Sequence, residues 1–178
     1  MRKRLAGIAS DLLFKPLRAT DAGLIVDSWG SKVDNFKYLS SPLLNSIKAA
    51  QSYIEKTLAA EYSLAYHIAV HGNIVGLVKA IADGHRAQVG YVIDQAYWGQ
   101  GIATEAVEFI TELLCANNIT QRIWATCALD NVGSQRVLEK CDYQREGILK
   151  NWIIYPAQGR RAHDNYVYSY PKKPNIQT

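Results

Sequence analysis

Apolar positions along this chain alternate in some stretches and recur every third or fourth residue in others, and the switches between the two periods mark its elements. Phe14 to Arg18 reads as a first strand, and Thr20 or Asp21 stands where a short helix running to about Trp29 would be capped. Ser46 is placed to cap a second helix, because Ile47, Tyr53, Ile54, Thr57 and Leu58 follow a loose helical repeat up to Glu61. Residues 31–45 between them are long for a structureless connection. Next come Ala65 to Val70, the turn His71-Gly72-Asn73, and Ile74 to Ile81, a hairpin with its own turn chemistry. Asp83-Gly84 turns the chain into a further strand, Arg86 to Ile93.

The helical period returns after Gly101, with Ile102, Ala106, Ile110, Leu113 and Leu114 on one face and Glu105, Glu108 and Glu112 on the other. A strand from Arg122 to Leu129, a helix from Asn131 to Cys141, a strand from Tyr143 to about Trp152 and a last strand from His163 to Tyr170 complete the order. No repeat or second domain is visible. The division expected is an N-terminal extension over 1–12, one domain over 13–170 and a tail over 171–178.

Candidate chemistry concentrates where the strand ending at Ile93 passes into a helix, through YWGQGIATEAV from Tyr97 to Val107. Gly99 and Gly101 let backbone N–H groups close on an anion, while the helix beginning there offers unpaired donors and a positive dipole end. A P-loop needs Lys then Ser or Thr after its last glycine, and Ile102 and Ala103 stand there instead. A dinucleotide fingerprint needs a third small position, which Thr104 does not supply. Taken by itself, the segment reads equally as a plain strand-to-helix turn.

A second segment, NVGSQRVLEKCDY from Asn131 to Tyr143, again follows a strand and opens a helix. The pairing of YWGQGIATEA with N-x-x-S-x-R-V-L-E-K-x-x-Y resembles the GNAT N-acetyltransferase superfamily, and within it the RimJ/RimL-like ribosomal-protein alanine acetyltransferases. The resemblance covers roughly Leu13 to Tyr170 and implies a mixed α+β fold. It would be a single domain with a central, mostly antiparallel twisted sheet of about seven strands and about four helices. It also implies acetyl-CoA as donor and an amine as acceptor.

By that resemblance, backbone groups of Tyr91, Val92 and Ile93 pair with the pantetheine arm, and Gly99, Gln100, Gly101, Ile102, Ala103 and Thr104 hold the pyrophosphate. Asn131 would reach the cofactor from the next helix, its plain alternative being an N-cap. The superfamily's donor loop usually begins with Arg or Gln, whereas Trp98 stands first here, as in the RimJ/RimL branch. Many relatives place an acidic tyrosine seven residues after the asparagine, and Leu138 occupies that position. Ser134 resembles the serine proposed for the RimL-like enzymes and is the catalytic candidate, with a structural place in the helix's first turn as its alternative. The oxyanion donor expected is a backbone N–H near Ile93.

No general base is identifiable. The matching place on the fifth strand is Thr126, Asp94 is a weak alternative, and His163 and Asp164, adjacent in a strand, point to opposite faces. The tryptophans and tyrosines read mostly as core or hairpin residues, and Trp29, Tyr38, Trp152 and Tyr155 lie in segments that could also wall an acceptor pocket.

Composition bounds these readings. Hydrophobic residues make up 48% and charged residues 20%, as in an ordinary globular domain. The net charge of +4 suits an anionic cofactor without arguing for nucleic acid. Cys115, Cys127 and Cys141 lack metal or redox spacing and read as buried apolar thiols, so no metal is expected. After MRKR, the apolar run Leu5 to Ala9 stops at Ser10, short of a signal peptide, and no stretch approaches the roughly 20 apolar residues of a membrane span. The expectation is a cytoplasmic monomer or homodimer with no membrane partner.

Overall fold

The computed structural model describes residues 11–60, 62–117 and 119–171; most of the expected extension and tail lies outside them. Seven strands form one sheet in the order β1-β2-β3-β4-β5-β7-β6. They are β1 (Leu12–Pro16), β2 (Leu64–Val70), β3 (Asn73–Asp83), β4 (Arg86–Ile93), β5 (Arg122–Ala128), β6 (Gln144–Ile154) and β7 (Ala162–Tyr170). Every pairing is antiparallel except β4 with β5. The β2–β3 hairpin turns through His71 and Gly72, both with positive φ (48° and 83°), the backbone that matches the natural twist of paired strands.

Four helices flank the sheet: α1 (Ala22–Ile25), α2 (Ile47–Leu58), α3 (Ile102–Ala116) and α4 (Val132–Lys140). One core holds α3 and α4 residues, including Ile102, Ala106, Ile110 and Leu138, with Ile68, Val78, Ile123 and Tyr168 from the sheet. Phe14 stacks on Phe109 across it, ring centroids 4.1 Å apart. The other core joins Ile25, Trp29, Phe36, Leu44 and Ile54 to Leu77 and Val92. Strand β4 therefore feeds both cores, by the alternation that turns Val92 one way and Val89 and Ile93 the other.

Several boundaries move. The first strand begins at Leu12 and ends at Pro16 instead of running to Arg18. The first helix is regular only to Ile25, after which Val26–Gly30 forms a wider turn. Asp21 does not cap it with its side chain, because that carboxylate accepts from the Arg18 N–H and pairs with His67. Ser46 does cap α2, accepting from the Ala49 N–H at 3.2 Å, but the helix closes at Leu58. On α3, Leu113 is half-buried and Val107 takes the place expected for it in the core. The long connection 31–45 carries structure of its own, a tight turn at Val33–Phe36 that buries Asn35 and Phe36.

Candidate active site

The site begins with a failure of strand pairing. Strand β4 pairs with β5 only through Arg86, Ala87 and Gln88, while β5 pairs with β7 from Ile123 to Ala128. Beyond Gln88 the two parallel strands separate, leaving that edge of Tyr91, Val92 and Ile93 unpaired with β5. On the other side, β4 stays paired with β3 to Gly76–Ile93, and the Asp94 N–H donates to the Val75 carbonyl at 2.7 Å. Since successive residues of an antiparallel strand turn their polar groups alternately, Ile93 directs its N–H away from β3, toward the open edge. Gly76 is required for this closeness, because the Val92 carbonyl lies where a Cβ at position 76 would be.

Two helix heads border the opening. Gly99 and Gly101 both adopt left-handed backbone, φ 76° and 82°, and Gly101 is the N-cap of α3. No atom lies within 4 Å of a Cβ built on either, so their identity answers to conformation and leaves room for a ligand above the loop. Ile102, Ala103 and Thr104 then begin the helix, where N–H groups lack intrahelical partners. Gln100 turns its side-chain amide back to the Ala96 carbonyl at 3.5 Å, and Trp98 donates its indole N–H to the Ile93 carbonyl at 2.8 Å.

At the second head, Asn131 is the N-cap of α4, accepting from the Ser134 N–H at 3.1 Å. Ser134 lies in the first turn, and its Oγ is 2.9 Å from the Tyr91 hydroxyl. That contact bridges β4 and α4 beside the splay. Burial raises the Tyr91 hydroxyl above its ordinary value of 10 and keeps it neutral. The far end of α4 meets the first turn of α3, where the Cys141 thiol at the C-cap donates to the Thr104 carbonyl at 3.5 Å.

The other candidates separate. Trp29 is fully buried in the second core and walls no pocket. Tyr38 donates to Asp130 Oδ2 at 3.0 Å and meets the edge of Tyr155, whose hydroxyl accepts from Asn165 at 2.7 Å. This brings residues 37–38, the end of β5 and the β6–β7 hairpin around one side of the cleft. Trp152 is half-exposed on β6. His163 packs on Tyr155 while Asp164 holds Lys150 and the Asn151 N–H, so the adjacent pair works apart. Asp94 is buried, caps the turn at Gln95–Tyr97 and is ion-paired with Lys32. It borders an open cavity of about 550 Å³ with Asp34, Asn35 and Gln95. Cys127 is buried and its thiol pushed up to about 12, which leaves no thiolate for covalent catalysis, whereas Cys115 is only half-buried.

Sequence reasoning missed the side chains of Tyr91 and Trp98. Strand alternation puts Tyr91 on the face of Val89 and Ile93, toward α3 and α4, but its meeting with Ser134 depends on tertiary packing.

A parallel pair splayed between two helix heads, one led by left-handed glycines and the other by asparagine, defines a class of anion-holding α/β sites. A family model described as "Acetyltransferase (GNAT) domain" matches residues 11–144, and the chain belongs to that family. It is 34% identical over 85 residues to "Uncharacterized N-acetyltransferase YnaD" of Bacillus subtilis, a match covering 48% of each protein. The chain spans about half the length of the curated relatives it matches. Among solved structures, the ribosomal-protein-S5-alanine acetyltransferase from Vibrio fischeri superposes with TM-score 0.78 at 18% identity, over 92% of this chain and 96% of that one. The microcin C7 self-immunity acetyltransferase MccE, solved with acetyl-CoA and AMP, gives 0.77 at 23%, over 89% and 91%. These likenesses establish the fold: one GNAT domain with a seven-stranded, mostly antiparallel sheet and four helices.

Proposed function

We propose that this protein is an acetyl-CoA-dependent N-acetyltransferase that passes the acetyl group directly to a primary amine, with a protein or peptide N-terminal α-amine as first choice. The observation that carries it is the splay of β4 from β5 beyond Gln88 between the heads of α3 and α4. An extended pantetheine arm can add to the free edge at Tyr91, Val92 and Ile93 as a further strand does. Gly99 to Thr104 present the N–H groups suited to a pyrophosphate, with Gly101's open backbone leaving it space.

Chemically, the chain's part is positional and electrostatic. Ile93 offers its N–H to the oxyanion that forms as the amine attacks, and Ser134 donates a hydrogen bond to the departing sulfur. A thiol near pKa 8.5 is already a tolerable leaving group, so one such bond serves without full protonation. Asn131 keeps Ser134 in place by holding its N–H at 3.1 Å. Calorimetry with CoA, followed by thiol release from acetyl-CoA with an alanine-first peptide, tests the proposal. A protein that binds CoA and releases no thiol with any amine would be an acyl-CoA-binding module instead.

A small-molecule amine is the second reading, favoured by the open cavity beside Asp94 and Asp34. Asp94 there is held by Lys32, and the Asp34 carboxylate beside it suits a cationic acceptor of modest size.

A further inference from the structure

Tyr91 enters the proposed function only through its backbone, yet its side chain reaches the Ser134 hydroxyl from the sheet. Its hydroxyl lies 2.9 Å from Ser134 Oγ and 3.5 Å from the Ser134 carbonyl oxygen. Both neighbours are acceptors for a phenolic proton, and the carbonyl can be nothing else. A tyrosine that donates toward Ser134 leaves the serine's single proton free for another acceptor.

We propose that Tyr91 is a positioning residue: anchored on β4, its hydroxyl donates to Ser134 Oγ and thereby commits the Ser134 proton to the acyl-donor cleft. The inference rests on the acetyl-transfer reading and adds to it the group that orients the serine. Three features hold the arrangement. Asn131 fixes the Ser134 backbone at the head of α4. The Tyr91 ring packs against the core beside α3 and α4. The bond spans the two elements that flank the splay, so it forms only when α4 is seated against β4.

Proton relay is the alternative role for a tyrosine here, and energetics decide against it. Burial raises the Tyr91 hydroxyl above its ordinary value of 10, while a thiol titrates near 8.5. Moving the tyrosine proton through Ser134 to the departing sulfur would run uphill by more than the gap between the ordinary values. Tyr91 therefore keeps its proton, and only the direction of the hydrogen bond matters. Such a bond to Ser134 Oγ also strengthens the serine as a donor, because bonds in a chain polarise one another.

The test uses the full chain with Tyr91→Phe, Ser134→Ala, the double variant and Ser134→Thr, which keeps a hydroxyl at the site. CoA alone is the first probe, the ionisation of its bound thiol being followed by thiolate absorbance in the ultraviolet. The bound thiol should titrate lower on the wild type than on Tyr91→Phe or Ser134→Ala, and the double variant should match Ser134→Ala. With acetyl-CoA and an alanine-first peptide, Tyr91→Phe should lower kcat by about 3- to 15-fold, the reach of one hydrogen bond, with KM for acetyl-CoA within about twofold. The same change on Ser134→Ala should do nothing further, whereas on Ser134→Thr it should again lower kcat. Full repetition of the loss on Ser134→Ala, or Tyr91→Phe behaving as wild type while Ser134→Ala does not, overturns the inference and spares the proposed function. A wild-type protein that binds no CoA overturns both.

Discussion

The Trp98 indole N–H donates to the carbonyl of Ile93 at 2.8 Å, tying the first position of the glycine loop to the last residue of β4. Where the superfamily pattern has Arg or Gln, the tryptophan supplies one donor, and that donor goes to the peptide chain instead of outward. Ile93 is thus held from both neighbouring segments: its flanking residue Asp94 bonds to β3, and its own carbonyl bonds to Trp98. An N–H meant to meet a developing oxyanion needs this kind of fixed backbone.

Trp98→Phe should leave the Ile93 carbonyl without that donor, at a cost of about 1 kcal/mol or somewhat more, which for a chain of this size lowers Tm by roughly 2–4 °C. If Ile93 is the oxyanion donor as proposed, kcat should fall by a few-fold as well, because that N–H loosens with the bond. Trp98→Gln, which restores a side-chain N–H, should recover part of both. Thermal denaturation and steady-state kinetics read the two effects, and a Phe variant with wild-type Tm and kcat would mean that the bond contributes nothing.

The glycines should separate by mechanism. Gly101→Ala meets no neighbouring atom but must hold φ near 82°, a left-handed conformation that costs a non-glycine residue about 1–2 kcal/mol. It should weaken CoA binding by relaxing the loop, with little further change in the core. At position 76 a methyl group would collide with the Val92 carbonyl, so Gly76→Ala should part β3 from β4 and lower both urea stability and CoA affinity. Gly23, with ordinary φ in α1 and open space around it, is the control, and alanine there should be neutral or stabilising. Equal losses at all three positions would refute the distinction.

Much of this arrangement was legible in the chain because local rules dictated it. Arg86–Ile93 is a strand with the boundaries its alternation predicts, Ser46 caps the helix it precedes, and Asn131 takes the N-cap that stood as the alternative to a cofactor contact. The paired glycine and asparagine motifs lie on the two helix heads because such residues are selected by terminus geometry, which acts within a few positions. Of the two readings open for Trp29, core or acceptor wall, the structure takes the core, and a 0% exposed indole there is a tertiary outcome that no local pattern decides. The Tyr91–Ser134 and Trp98–Ile93 bonds follow from how α4 and the loop dock on β4. No periodicity encodes that.

His67 should give the fold a pH dependence. It is buried on β2 with Nε2 3.1 Å from Asp21 Oδ2 and, among the described residues, no partner for Nδ1, and burial, outweighing the carboxylate, lowers its pKa from 6.5. The unfolded chain therefore binds this proton more tightly than the folded one. Stability should be fully present above about pH 6.5 and decline as pH falls through the lowered folded value. Urea unfolding between pH 7 and 5 measures the slope. His67→Gln, which keeps a donor toward Asp21, should be less stable at pH 7 but flatter with pH, and an unchanged slope would assign the effect to other groups.

The acceptor should be an α-amine rather than a lysine ε-amine, because the carboxylates of Asp94, Asp130 and Asp164 are committed elsewhere. Asp94 is held by Lys32 and the Ala96 N–H, Asp130 accepts from Tyr38, and Asp164 accepts from Lys150 and the Asn151 N–H. Thr126 lies on β5 at the place where the superfamily resemblance would set a glutamate base. An α-amine titrates near pH 8 and is about one-tenth neutral at pH 7, whereas a lysine near 10.4 is neutral in about one molecule in 2,500. That gap of roughly 2.4 units sets lysine back by about 3.3 kcal/mol in forming the nucleophile, more than a site with these three carboxylates already paired readily offsets. Water suffices for the easier amine. Peptides beginning with alanine or serine should be acetylated faster than the same peptides with a blocked terminus and an internal lysine, and the rate should climb from about pH 6.5 to 8.5 as the α-amine loses its proton. Mass spectrometry after incubation with acetyl-CoA separates the cases: modification confined to lysine, or to a competing polyamine, would overturn the α-amine assignment while leaving the donor site as described.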